Sequence, residues 1–103
     1  MNRPRRGEIW TAGSPPAARS VLVLSSTIYN ELADEPTVLV ALVLQNAAAK
    51  GFSVALGAGQ WAVMGLVTAL TKTSLRQRER KVSTQALTDA NNMLFRILAT
   101  PSP

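Results

Sequence analysis

Apolar residues fall along this chain in short runs, parted by small or polar stretches, and a long 3.6-residue period emerges only near the end. Glu8-Ile9-Trp10-Thr11 alternates, which predicts a strand over 7–11 with Glu8 and Trp10 on the same side. Ala12 to Ala18 is small and turn-forming, with two prolines. Val21 to Leu24 is an unbroken β-branched and aliphatic run, the mark of a buried strand, placed at about 20–25. Ser26 to Pro36 is a polar excursion holding Glu31, Asp34 and Glu35, half of the six acids in the chain. Thr37 to Leu44 (TVLVALVL) is apolar on both faces, so this third strand belongs in the middle of the fold. Gln45 to Gly51 reads as a turn or loop, although Ala47 to Ala49 also suits a helical turn. Phe52 to Leu56 is a fourth strand and Gly57 to Gln60 a turn. Trp61 to Thr71 holds one or two further strands, kinked at Gly65.

Thr73 to Arg76 fits a single helical turn. Arg76, Arg78 and Arg80 stand two apart, so a strand would put them on one face and a helix would scatter them. Val82 follows as one apolar anchor. The last element is the clearest helix: Ser83 or Thr84 is the N-cap, and Leu87, Ala90, Leu94, Ile97 and Leu98 make one apolar stripe. Met93 and Phe95 lie beside the stripe, and Pro101 ends the helix. No internal repeat is visible. Several short strands and a terminal helix predict an α+β or small-barrel fold, the helix closing one side of a curved antiparallel sheet. The 103 residues suffice for one domain, with 1–6 as a loose lead-in and 99–103 as a tail.

Composition then narrows the chemistry. The chain has no cysteine and no histidine, which excludes disulfides, Cys/His zinc sites, thiol nucleophiles and imidazole bases. The missing cysteines fit a cytosolic protein. Residues 51–71 carry no charge, but Gly51, Gly57, Gly59, Gly65 and Gln60 divide them, so no membrane span is expected. No apolar stretch follows the basic N-terminus directly, so no secretory signal is expected. The net charge is +5, from 11 basic and 6 acidic residues. The basic residues cluster at Arg3, Arg5 and Arg6, and again at Lys72, Arg76, Arg78, Arg80 and Lys81. Such clusters suit a polyanion, and equally serve as solvated faces.

Arg19 is the only charge between Glu8 and Glu31. It stands where a loop meets a dry strand. Two readings stay open there: a surface arginine capping a strand end, or a guanidinium placed to meet a carboxylate or phosphate.

Arg6-Gly7-Glu8-Ile9-Trp10, a loop, Arg19-x-Val21-Leu22-Val23-Leu24 and then Tyr29-Asn30 resemble the opening of the MazF/PemK family of toxin endoribonucleases. Val38 to Asn46, Val67 to Leu75, and Val82-Ser83 with the final helix resemble its later segments, so the likeness covers nearly the whole chain. The resemblance implies a compact SH3-like antiparallel β-barrel with a C-terminal helix, in a cytoplasmic homodimer that carries single-stranded RNA in a groove across the dimer face. Cleavage in this family uses no metal or other cofactor: the ribose 2′-hydroxyl attacks the adjacent phosphate and leaves a cyclic phosphate. A cognate antitoxin with an acidic, foldable tail would occupy the same groove.

Residue by residue, Arg19 matches the family's catalytic arginine. Ser14 is the one side chain of its loop with a hydrogen-bonding group. The Thr or Ser expected at the end of strand three falls on Leu44, followed by Gln45 and Asn46. Thr68 and Thr71 replace the family's Arg and Asp, while Lys72 carries over. The resemblance thus implies Arg19 as catalytic, with Ser14, Gln45, Asn46, Thr68, Lys72, Arg76 and Arg78 as RNA contacts. The family's fold is shared with gyrase-poisoning toxins of the CcdB type, and Asn92 to Ile97 is an aromatic-containing terminal helix. A gyrase poison, or an inactive module that binds nucleic acid or antitoxin, are the alternatives.

Overall fold

A computed structural model of the chain describes residues 3–45 and 52–99. The strands are β1 (Glu8–Ala12), β2 (Arg19–Val23), β3 (Thr37–Gln45), β4 (Ser53–Gly57), β5 (Gln60–Thr71) and β6 (Leu75–Lys81), with the helices α1 (Thr27–Asn30) and α2 (Thr84–Ala99). They form one antiparallel sheet in the order β4-β5-β3-β2-β1-β6. β3 lies inside the sheet, as its two apolar faces require. The loop after Gln45, with its possible helical turn, and the expected end at Pro101 lie outside the described residues.

The sheet buries both faces. On one, Ile9, Leu22, Ala41, Val43, Val54, Leu56, Ala62 and Met64 pack with Val82, Ala86 and Ala90. Met93, Leu94 and Ile97 of α2 press against this cluster. On the other face, Trp10, Val21, Val23, Val38, Val40 and Leu75 form a second cluster with Leu70. Burial of this apolar area, at about 25 cal/mol per Å², is the main force holding sheet and helix together.

β5 is one strand with a break in register. Ala41 faces Val67, but its neighbour Leu42 faces Val63, so Met64 to Leu66 loop past a single step of β3. The kink expected at Gly65 falls there. The expected helical turn is a 3₁₀ turn at Lys72–Ser74. Ser83 caps α2: its Oγ accepts from the Ala86 N–H at 3.1 Å. The stripe of α2 is corrected at its end, since Leu98 is 75 % exposed. Ala86 and Met93 join the packed face instead: its centre runs through Ala86, Ala90, Met93 and Ile97, which leaves Leu98 at the edge of the stripe.

The two edges of the sheet, β4 and β6, are not joined by a strand pair. Arg80 spans the gap: its guanidinium donates to Gln60 Oε1 (2.9 and 2.6 Å), Leu56 O (3.0 Å) and Gly57 O (3.1 Å). An arginine fork does here what a closing ladder does in a continuous barrel. The β4–β5 turn that it grips runs through left-handed backbone at Gly57, Ala58 and Gly59 (φ 86°, 54° and 74°).

Pro4 and Arg5 are hydrogen-bonded to the folded chain. Glu8 is buried, and its Oε1 accepts from the Arg5 N–H (2.7 Å) and Trp10 Nε1 (3.1 Å) while Oε2 pairs with Arg78 Nη1 (3.0 Å). Asn30 Nδ2 donates to Pro4 O (3.1 Å) and Ser25 O (3.0 Å). Gly7, at φ 88°, passes so close under α2 that a Cβ there would sit 3.2 Å from Leu87 Cδ2.

Candidate active site

β1 and β2 are joined by a short loop whose Gly13 N–H donates to Ser74 O at 2.9 Å. That bond ties the loop to the 3₁₀ turn at the far end of β5. Between them opens a cleft of about 260 Å³, lined by Ala12, Gly13, Ala17, Arg19, Val21, Val40, Leu42, Leu66, Thr68, Leu70 and Ser74. Its floor is the second apolar cluster. Its polar side chains are one guanidinium and two hydroxyls.

Arg19 opens β2 and is exposed. Among the described residues its guanidinium makes no ion pair and no hydrogen bond. The carboxylate at this end of β2 is Glu79, but its Oε2 accepts from Ser20 Oγ (2.7 Å) and Thr11 Oγ1 (2.9 Å). Ser20 alternates with Arg19, so this contact sits on the opposite face of the sheet. A cation over an aliphatic floor, with no partner of its own, is a receptor for an anion that brings an apolar or planar body with it.

Register fixes what lies beside it. Ser20 pairs with Val43, so Leu44, one step on, stands next to Arg19 and itself pairs with Trp61. An aliphatic side chain therefore holds the place beside the arginine.

The expected contact residues separate into those the cleft gathers and those it does not. Arg19 and Thr68 line it together. Ser14 is exposed in the loop but does not line the cleft, and its carbonyl accepts from the Ala17 N–H at 2.9 Å. Gln45 ends β3 opposite Gln60, away from the lining. Asn46 lies outside the described residues. Lys72 faces a second, larger hollow shared with Arg3, Arg5, Glu31 and Glu35, and its Nζ donates to Leu32 O at 3.0 Å. Arg76 is exposed on β6, and Arg78 is held by Glu8.

Ser74 is the lining residue that sequence reasoning missed. Its Oγ lies 2.7 Å from Thr71 Oγ1, and Thr73 Oγ1 donates to Thr71 Oγ1 at 3.3 Å. The run Thr71-Lys72-Thr73-Ser74 carried a signal in its three hydroxyls, but only the fold brings it beside Arg19.

A family model described as PemK-like, MazF-like toxin of type II toxin–antitoxin systems matches residues 5–98. No curated protein matches the chain by sequence. Among solved structures it is similar to an endoribonuclease from a mycobacterial species, with a TM-score of 0.81 and 20 % identity over 100 % of this chain and 98 % of that one. It is similar to an endoribonuclease in complex with its cognate antitoxin, also mycobacterial, with a TM-score of 0.82 and 19 % identity over 97 % and 99 % of the two chains. A MazE–MazF complex from Deinococcus radiodurans gives a TM-score of 0.78 and 22 % identity over 97 % and 100 %. At these identities the likeness speaks to the fold.

Proposed function

The chain belongs to the PemK-like, MazF-like toxins of type II toxin–antitoxin systems, and from that premise we propose that it is a metal-independent, sequence-specific endoribonuclease acting on single-stranded RNA in the cytoplasm. The observation that carries this reading is the unpartnered Arg19 guanidinium at the mouth of an apolar-floored cleft. A ribonucleotide brings a phosphate for the cation and a flat base for the floor.

In the proposed reaction the ribose 2′-oxygen bonds to phosphorus as the bond to the next 5′-oxygen breaks. The 2′-hydroxyl gives its proton to water and the departing oxygen takes one up. The products are a 2′,3′-cyclic phosphate and a 5′-hydroxyl end. Arg19 binds the phosphate and stabilises the extra negative charge of the pentavalent state. Thr68 is a rim contact, and Arg76 and Arg78 extend the positive field over the bound strand. Ser14, Gln45, Asn46 and Lys72 are proposed to touch flanking nucleotides.

The active form is proposed to be a homodimer with RNA across its shared face, and Leu66, 55 % exposed at the cleft rim, favours a second copy there. An antitoxin with an acidic tail would compete for Arg19. A second reading, a protein-binding gyrase poison, draws on Phe95, which α2 leaves 72 % exposed.

Removing a charge-assisted donor from a transition state costs about 10²–10³ in rate, so Arg19→Ala is expected to lose that much RNA cleavage. Equal cleavage by variant and parent would remove the assignment. A supercoiling assay with purified gyrase, run beside RNA cleavage, separates the two readings.

A further inference from the structure

We propose that Ser74 supplies the hydroxyl donor that the cleft lacks at Leu44, and that Thr71 and Thr73 aim it. This rests on the ribonuclease reading and adds a residue to it. A phosphate held by Arg19 meets one cation on one side and aliphatic carbon on the other, since Leu44 has nothing to donate. The two hydroxyls in the lining are Thr68 and Ser74. Thr68 stands on an exposed stretch of β5 and makes no side-chain hydrogen bond among the described residues. Ser74 is fixed twice. Its carbonyl holds the Gly13 N–H of the loop that delivers Arg19, and its Oγ meets Thr71 Oγ1 at 2.7 Å.

The contact between Thr71 and Ser74 can run either way, because Thr71 Oγ1 has a lone pair for each neighbour; in the proposed arrangement Thr71 is the donor. A hydroxyl has one proton and two lone pairs. Thr73 Oγ1 donates to Thr71 Oγ1, so Thr71 accepts there and its own proton is free for Ser74 Oγ. Ser74 then accepts, and its proton has no acceptor among the described residues. It is left to point into the cleft. Each bond in such a chain polarises the next, so the terminal hydroxyl is a stronger donor than an isolated serine. Ser74 thereby becomes a catalytic residue, donating to a non-bridging oxygen as charge builds on it. No proton is transferred; it stays on Ser74 throughout. Thr71 is a positioning residue.

The test takes the full chain and a long, end-labelled single-stranded transcript to locate a cut, then a short oligoribonucleotide spanning it for steady-state kinetics. Ser74→Ala is expected to lower kcat by about 10- to 100-fold with KM within about twofold of the parent. Ser74→Thr, which keeps the hydroxyl, is expected to retain activity. Thr71→Val lowers kcat by less, Thr71→Ser restores it, and the double variant Thr71→Val/Ser74→Ala is no slower than Ser74→Ala alone, because both act through one group. Thermal melts of each variant report on folding separately. If the parent cleaves and Ser74→Ala cleaves equally fast, this proposal falls and the nuclease reading stands. Multiplicative losses in the double variant overturn the relay. If the parent cleaves no RNA at all, both readings fall together.

Discussion

Glu8→Gln is a probe of what anchors β1, because it keeps the shape of the side chain while removing its charge and turning one acceptor oxygen into an N–H donor. The native carboxylate is 3 % exposed and accepts from the Arg5 N–H, Trp10 Nε1 and Arg78 Nη1. Hydrogen bonds to a charged acceptor contribute about 1.5–3 kcal/mol against about 0.5–1.5 for neutral ones, so the two donors on Oε1 lose about 1 kcal/mol each. The Arg78 pair adds little, since that side chain is 61 % exposed and solvent screens it; about 0.5 kcal/mol is the expected share. The sum, about 2–3 kcal/mol, corresponds to a fall in Tm of about 10–20 °C for a domain of this size. The pH dependence adds a second check. Burial pushes the Glu8 carboxyl up, but the hydrogen bonds from Arg5, Arg78 and Trp10 outweigh it, so its pKa in the fold lies below the ordinary 4.5. Such a group stabilises the fold fully above its unfolded pKa, and the contribution is lost as pH falls through the folded value. The gap in Tm between parent and Glu8→Gln is therefore expected to hold from neutral pH to about 5 and to close in stronger acid. Circular-dichroism melts at pH 7 and pH 3 measure both quantities. A gap under about 3 °C at pH 7, or one that widens in acid, would refute the reasoning.

Arg80→Met should cost about 2–4 kcal/mol in urea denaturation, because it strands the buried Gln60 Oε1 and the Leu56 carbonyl. Arg80→Lys is expected to recover only part of this, since one ammonium cannot span both edges of the sheet; full recovery would show that charge alone suffices. For Arg76, exposed on β6, replacement by Gln is expected to make the salt dependence of RNA binding shallower by about 0.7 in log–log slope, with kcat unchanged. An unchanged slope would leave Arg76 as a solvated surface group.

Which parts of the fold were legible in the sequence follows from where their causes lie. β1, β2 and β3 declared themselves because a buried strand writes its burial into consecutive side chains. α2 was legible for the same reason at period 3.6, and failed only at Leu98, which lies at the edge of a packed face centred on Ala86, Ala90, Met93 and Ile97. α1 was not legible. It is a single turn over Thr27–Asn30, started by Ser26 Oγ accepting from the Tyr29 N–H at 3.1 Å, and carries no period. The alternation of Arg76, Arg78 and Arg80 suggested one charged face, yet Arg78 is bound to Glu8 and Arg80 to the β4–β5 turn. Those partners lie 70 and 24 residues away in sequence, and no local pattern encodes them. The candidate site divides likewise. Arg19 stood out by its isolation, whereas Ser74 enters only because Gly13 ties the first loop to the turn after β5.

The isolation of Arg19 is itself built by the rest of the chain. In a protein with six acids, a guanidinium on a sheet face would ordinarily find one. Here four of the six are occupied elsewhere. Glu8 is enclosed by Arg5, Trp10 and Arg78, and Glu79 is held by Thr11 and Ser20 on the other face of the sheet. Glu35 accepts from the Thr37 hydroxyl, and Asp89 from Gln85 within α2. Glu79 is the telling case, because two neutral hydroxyls satisfy it and one of them follows Arg19 directly in the strand. Strand alternation thus puts Arg19 and the carboxylate bound to Ser20 on opposite faces of the sheet. Over the aliphatic floor of the cleft the field of Arg19 is screened less than it would be in open water. Its attraction is therefore kept for an anion that arrives from outside, which is the condition a phosphate-binding site has to meet.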